Sequence, residues 1–146
     1  MKNVIVLFMT VSLFIGCAFG TEVPTAVKTA FDQKFVGATD VKWGKESKTE
    51  FEADFKLNGV IMSANFKEDG TWMETETSIS AMDIPAVVSS AIKAKYPNAI
   101  INGGEMKERA GKDMVYEVLV KGIKGMDELV VSPDGSNISD EEEAED

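Results

Sequence analysis

The stretch VPTAVKTAFDQKFVGA, from Val23, returns as IPAVVSSAIKAKYPNA, from Ile84. A displacement of 61 residues brings Val23 onto Ile84, Pro24 onto Pro85, Val27 onto Val88, Phe31 onto Ile92 and Phe35 onto Tyr96. A displacement of 65 then brings Phe51 onto Tyr116, Glu52 onto Glu117, Phe55 onto Val120, Phe66 onto Val131 and Gly70 onto Gly135. Chemistry is kept at each match, and the two displacements differ by one insertion (65 − 61 = 4). Such a chain reads as two tandem copies of one supersecondary unit. The expected organisation is a leader over 1–20, a first copy over 21–80, a second over 81–139 and an acidic tail over 140–146.

Each copy opens with a helix. Val27, Ala30, Phe31 and Phe35 recur at helical spacing, as do Val88, Ala91, Ile92 and Tyr96. Pro24 and Pro85 suit the helix starts, and Gly37 and Pro97 suit the ends. Strands follow. FEADFKL and VIMSANF flank Asn58-Gly59, a strong signal for a two-residue hairpin. That turn sets Leu57 opposite Val60, Phe55 opposite Met62, Ala53 opposite Ala64 and Phe51 opposite Phe66. All four pairs are apolar, so they share the buried face. A second two-residue turn, at Asp69-Gly70, sets Lys67 opposite Trp72 and Asn65 opposite Glu74. The expected class is therefore α+β: two tandem repeats, each one helix packed on an antiparallel sheet of three to four strands.

The same register assigns the opposite face of the first sheet. Glu50, Glu52, Asp54 and Lys56 lie on one strand, Ile61, Ser63, Asn65 and Lys67 on the next. Trp72, Glu74, Glu76 and Ser78 lie on the last. A solvated face is the plainer reading of such a pattern. The sharper one is a partner-binding face with Trp72 as anchor and Glu52, Asp54, Glu74 and Glu76 as contacts. Trp43 alternates with Val41 and reads as core. Asn137 stands where the second copy would have Trp72.

The leader, MKNVIVLFMTVSLFIGCAFG, joins Lys2 to an apolar run and then small residues, the pattern of an export signal. Two processing routes fit it. Ala18 and Gly20 satisfy the small-x-small rule, with cleavage between Gly20 and Thr21. Alternatively LFIGC resembles a bacterial lipobox, with Cys17 lipidated and Phe14 where leucine is usual. The protein is expected outside the cytoplasm, periplasmic or extracellular, or lipid-anchored in the envelope.

With 25 acidic and 15 basic side chains the net charge is −10, which disfavours nucleic acid and anionic lipid and allows a cationic partner. Histidine is absent and Cys17 is the single cysteine, so a serine triad, a zinc cage and an internal disulfide have no material. No cofactor, metal site or catalytic residue is expected. The tail SDEEEAED reads as solvated chain.

VPTAVKTAFDQKF, IPAVVSSAIKAKYPNA, DVKW after the first helix and DGTWMETET before the second copy resemble the PepSY-like family of secreted bacterial proteins, also described as β-lactamase-inhibitor-like. The resemblance spans about residues 22 to 138. It implies tandem helix-plus-sheet units related in architecture to the β-lactamase inhibitor proteins, which bind enzymes through a sheet surface. The function expected is a non-enzymatic envelope protein, an inhibitor-like module engaging a protein or peptide through the outer sheet face. The alternative is an envelope protein that binds a small ligand or a cation.

Overall fold

The computed structural model describes residues 22–122 and 125–140. The leader, with Cys17, Gly20 and Thr21, and residues 141–146 of the tail lie outside them. Helix α1 (Thr25–Lys34) starts directly after Pro24, whose carbonyl accepts the first helical bond from Lys28 N–H. Strands β1 (Thr39–Lys45), β2 (Glu50–Leu57), β3 (Val60–Lys67) and β4 (Trp72–Ile79) follow. Helix α2 (Ala86–Lys95) starts after Pro85 and leads into β5 (Ile100–Arg109), β6 (Val115–Lys121), β7 (Met126–Val131) and β8 (Ile138–Asp140). Among the described residues no helix is long and apolar enough to cross a membrane.

All eight strands form one antiparallel sheet in chain order, β1 to β8. Two separate sheets are thus replaced by one, joined where β4 pairs β5 from Glu74–Arg109 to Ile79–Gly104. The class is α+β, as expected. Side-chain parity runs unbroken across the seam. Met62 opposes Thr77, Thr77 opposes Met106, Met106 opposes Tyr116 and Tyr116 opposes Val131. Since Met62 and Val131 pack in the two cores, both helices cover the same face.

The cores themselves are distinct. Val27, Phe31 and Phe35 of the first helical segment pack on Phe51, Phe55 and Phe66. Phe31 meets Phe55 edge-on at 5.0 Å between ring centres, the preferred geometry for opposed ring quadrupoles. Trp43 is half-buried against this cluster, edge-on to Phe31 at 5.2 Å. The second core is mostly aliphatic: Val88, Ile92, Val118, Val120, Leu129 and Val131. Phe31 and Ile92, Phe55 and Val120, and Phe66 and Val131, matched in the sequence by the displacements of 61 and 65, lie one in each core. Gly70 and Gly135 also each abut a helix. A Cβ on Gly70 would lie 2.7 Å from the Ala26 carbonyl oxygen, and one on Gly135 2.9 Å from the Ala91 methyl.

The Asn58-Gly59 hairpin has the expected register throughout, from Leu57–Val60 to Glu50–Lys67. The Asp69-Gly70 turn does not. Lys67 N–H donates to Thr71 O at 2.9 Å and Gly70 N–H to Lys67 O at 2.8 Å. The loop is therefore three residues, Glu68-Asp69-Gly70, with Gly70 in the left-handed region at φ 86°. Asp69 Oδ1 accepts from Thr71 N–H and secures it. Phe66 consequently opposes Trp72, and Met73 is an extra residue in β4 that restores Asn65–Glu74.

Candidate functional site

That bulge decides which side of the sheet Trp72 occupies. Its partner Phe66 is a core residue, so the indole packs on the helix side against the first core. Trp72 Nε1–H donates to the buried Thr75 Oγ1 at 2.9 Å, and Lys34 Nζ stands 4.0 Å from the ring centre. The expected grouping of Trp72 with four carboxylates is corrected: Glu52, Asp54, Glu74 and Glu76 share the helix-free face, and Trp72 is on the other.

The helix-free face is built from alternate residues of successive strands. Along one row Glu52 on β2 opposes Asn65 on β3, Asn65 opposes Glu74 on β4, and Glu74 opposes Arg109 on β5. The next row runs Lys42, Asp54, Ser63, Glu76, Lys107 and Val115. A third runs Ser78, Glu105, Glu117, Val130 and Ser139. Directly opposed residues on one face stand about 5 Å apart, close enough for their side chains to bond.

Lys107 is the hub. Its Nζ lies 2.9 Å from Glu76 Oε1 and 3.0 Å from Glu117 Oε2, tying β4, β5 and β6 together. The three side chains are only 14%, 25% and 7% exposed although neither α1 nor α2 covers them. Burial alone would pull the Lys107 ammonium down. The hydrogen bond and charge of Glu76, with the charge and hydrogen bond of Glu117, more than offset this and hold it above the ordinary lysine value. Ser63 hydroxyl donates to Glu76, Asn65 Nδ2 to Glu74 and Ser78 hydroxyl to Glu105.

Four further carboxyls of this face are destabilised as anions. Burial first, then the charges of Asp54, Glu46, Glu76 and Glu74, push Glu52 up to about 7. Burial, then Glu76 and Glu117, push Glu105 up to about 7. Burial also raises Glu74 and Asp54. Asn65 Oδ1 and Arg109 Nε are buried without a hydrogen-bond partner. Oxygens of Glu76, Glu105 and Glu117 lie within 4.8 Å of one another, spacing that would suit a cation. The Lys107 ammonium already bridges two of the three, so the set is occupied by the protein's own cation.

Sequence reasoning identifies the acids of β2 and β4 and misses Glu105, Lys107, Arg109 and Glu117. The signal for them is the displacement of 61, which carries the strand around DVKW onto Ile100 onward, where β5 lies. The β5–β6 register slips between Ile101 and Gly103, with Gly103 at φ 123°.

Among curated proteins none matches the chain. Solved structures do. A BLIP-like protein from Bacteroides fragilis NCTC 9343 is 23% identical, with TM-score 0.73 over 84% of this chain and 89% of that one. A DUF2874 family protein from Bacteroides ovatus ATCC 8483 is 21% identical, with TM-score 0.72 over 83% and 89%. A protein from Bacteroides eggerthii DSM 20697, described as a "putative periplasmic" protein, is 18% identical, with TM-score 0.71 over 82% and 90%. At these identities the likeness establishes the fold. The profile of the family described as "Putative beta-lactamase-inhibitor-like, PepSY-like" matches residues 49–136, which is 88 of the 146 (136 − 49 + 1 = 88). The chain belongs to this PepSY-like family.

Proposed function

We propose that this is a non-enzymatic, exported protein that engages a protein or peptide through the helix-free face of its sheet. One observation carries the reading. That face holds a charged, half-buried network with a buried acceptor and a buried donor left over, and among the described residues no element lies over it. Charged groups fixed on an uncovered sheet face orient and steer a partner of complementary charge. The chain has no histidine for general acid–base work, which favours recognition over turnover. The leader supports export, and one structural relative is described as periplasmic. On the same reading the two helix-plus-four-strand halves are copies of one unit. Their matched core residues and matched helix-abutting glycines, Gly70 and Gly135, support this.

The test is capture from an envelope extract with three forms of the protein. Ser63→Trp puts bulk at the centre of the helix-free face. Ser90→Trp puts the same bulk on exposed α2 surface. Partners retained by the native form and Ser90→Trp but lost by Ser63→Trp support the face. Equal recovery by all three forms, each folded by circular dichroism, defeats it.

A further inference from the structure

The tip of the β2–β3 hairpin is the pair Asn58-Gly59, and both residues are exposed. Asn58 has φ 52° and Gly59 φ 83°. Two positive φ values, with Leu57 opposite Val60, make a type I′ turn. An asparagine followed by glycine carries its own electrophile and nucleophile, the carboxamide carbon and the next main-chain nitrogen. Joining them closes a five-membered ring, and holding both on one chain replaces the concentration a second reactant would need. The ring eclipses Asn58 Cβ with the Gly59 nitrogen. For an L-residue this sets ψ at about −120°, the value at the first central residue of a type II′ turn. Type II′ also asks for φ of about +60° there, and Asn58 already holds 52°. Only the peptide plane between Asn58 and Gly59 has to flip. Glycine accepts the resulting negative φ without strain, and the Leu57–Val60 pair persists because both turns close two-residue hairpins. A Cβ on Gly59 would meet nothing within 4 Å, so the plane turns in open space.

The chain has a second such pair, Asn102-Gly103, and the fold treats it in the opposite way. Gly103 is buried inside the sheet opposite Leu119, and a Cβ there would lie 3.1 Å from the Ile79 carbonyl oxygen. Asn102 Nδ2 donates to Met126 Sδ at 3.7 Å. Turning the plane between Asn102 and Gly103 means opening the ladder around β5, a far larger event than moving a hairpin tip. We propose that Asn58 is a self-modification site, where the folded protein converts asparagine to aspartate and isoaspartate while Asn102 stays intact. The Gly59 nitrogen gives up its proton and bonds to Asn58 Cγ. The Cγ–Nδ2 bond breaks, and Nδ2 leaves as ammonia with that proton. Water then adds to one of the two ring carbonyls, and the bond from that carbonyl to the ring nitrogen breaks. The sum is carboxamide plus water to carboxylic acid plus ammonia, with no oxidant and no cofactor. Opening at Cγ leaves an Asp-Gly turn, which suits the same hairpin. Opening at the main-chain carbonyl routes the chain through the former side chain. That adds a methylene to a loop whose length sets eight cross-strand pairs. Either product puts a new negative charge two residues from Lys56.

The experiment incubates the native protein at mildly alkaline pH, folded and, in parallel, unfolded in urea. Trypsin separates the two pairs into peptides 57–67 and 96–107. Mass spectrometry follows the exchange of ammonia for water in each, fragmentation places it, and chromatography separates isoaspartate from aspartate. In the folded sample Asn58 is expected to convert at least about tenfold faster than Asn102, because the latter must wait for the ladder to open. In urea the two should convert at similar rates, since glycine follows both. A smaller ratio in the folded sample, faster conversion at Asn102, the same ratio in urea as in the folded sample, or conversion at Asn58 in urea alone would each overturn the proposal. Asn65 shares a peptide with Asn58 but precedes Phe66. A gain that fragmentation places at Asn65 instead of Asn58 would overturn it as well.

Discussion

The ammonium of Lys34 stands 4.0 Å from the centre of the Trp72 indole, joining the last turn of α1 to the first residue of β4. The same ring donates to Thr75 Oγ1. Trp72 is thus engaged from helix and sheet together, on the side away from the charged rows. Trp72→Ala removes a large half-buried ring and a hydrogen bond. It is expected to cost about 2–4 kcal/mol of stability, read from urea unfolding midpoints. Binding through the helix-free face should be unchanged at temperatures where the variant is folded. A loss of affinity without a loss of stability would return Trp72 to the binding face.

Stability should fall as pH rises from about 4.5 to about 7. Glu52 and Glu105 have folded pKa values of about 7, above the usual 4.5. The folded state therefore holds protons across that window that the unfolded chain has released, and raising pH works against folding. Above about 7 both states are ionised and the dependence flattens. At the acid end the sign reverses. Hydrogen bonds from Ser136 and Ser132 hold Asp134 at about 2, and Thr71 and Lys56 hold Asp69 and Asp40 low. Their stabilisation is lost as these groups protonate. Thermal melts from pH 3 to 8 should show a maximum near pH 4.5. Glu52→Gln/Glu105→Gln should flatten the limb above it. A native-like slope in that variant would show that other groups carry the effect.

Lys107→Met should be among the most damaging single changes on the helix-free face. It leaves Glu76 and Glu117 facing each other without their shared cation. The expected cost is about 2–4 kcal/mol, slightly under that of breaking a fully buried pair because some exposure remains. Adding Glu76→Gln and Glu117→Gln should recover part of it, since the uncompensated charges go as well. Denaturant midpoints of the single and triple variants give the comparison, and a triple variant weaker than the single one would refute the argument.

Two glycines in strands should behave oppositely. A Cβ on Gly104 would lie 2.2 Å from the Glu117 carbonyl oxygen and 3.0 Å from Val118 Cα, inside the β5–β6 ladder. A Cβ on Gly44, on edge strand β1, meets nothing within 4 Å. Gly104→Ala should push β6 off β5 and break the Glu76–Lys107–Glu117 bridge, lowering stability by at least about 2 kcal/mol. Gly44→Ala should be neutral or slightly stabilising, because glycine costs chain entropy in a strand. Melting temperatures decide it; equal values for the two variants would mean that the ladder yields freely.

The helices and the first hairpin are legible in the sequence because their signals are local. Apolar spacing sets Val27, Phe31, Val88 and Ile92 inward, and Asn58-Gly59 fixes eight cross-strand pairs at once. The fate of Trp72 is not legible in the same way. Lys67-Glu68-Asp69-Gly70 is compatible with a two-residue or a three-residue loop, and one residue of difference moves a side chain across the sheet. Lys107 and Arg109 are hidden for another reason. Strand β5 is made by pairing with β4 across an intervening helix, a long-range event that leaves little mark on local composition. The union of two expected sheets into one follows from the same pairing.

Strands laid down in chain order have a consequence for how the molecule assembles. Each new strand finds its partner in the one just made, across a short loop in every case but one. Closing the gap between β4 and β5 means bringing Ile79 to Gly104 with α2 between them. Short closures are entropically light and that one is heavier. Assembly should therefore run from either end toward the middle, and β4 against β5 is the contact expected to form last and to open first. The charged bridge from Glu76 through Lys107 to Glu117 lies across that late seam, so it acts as the latch that finishes the sheet.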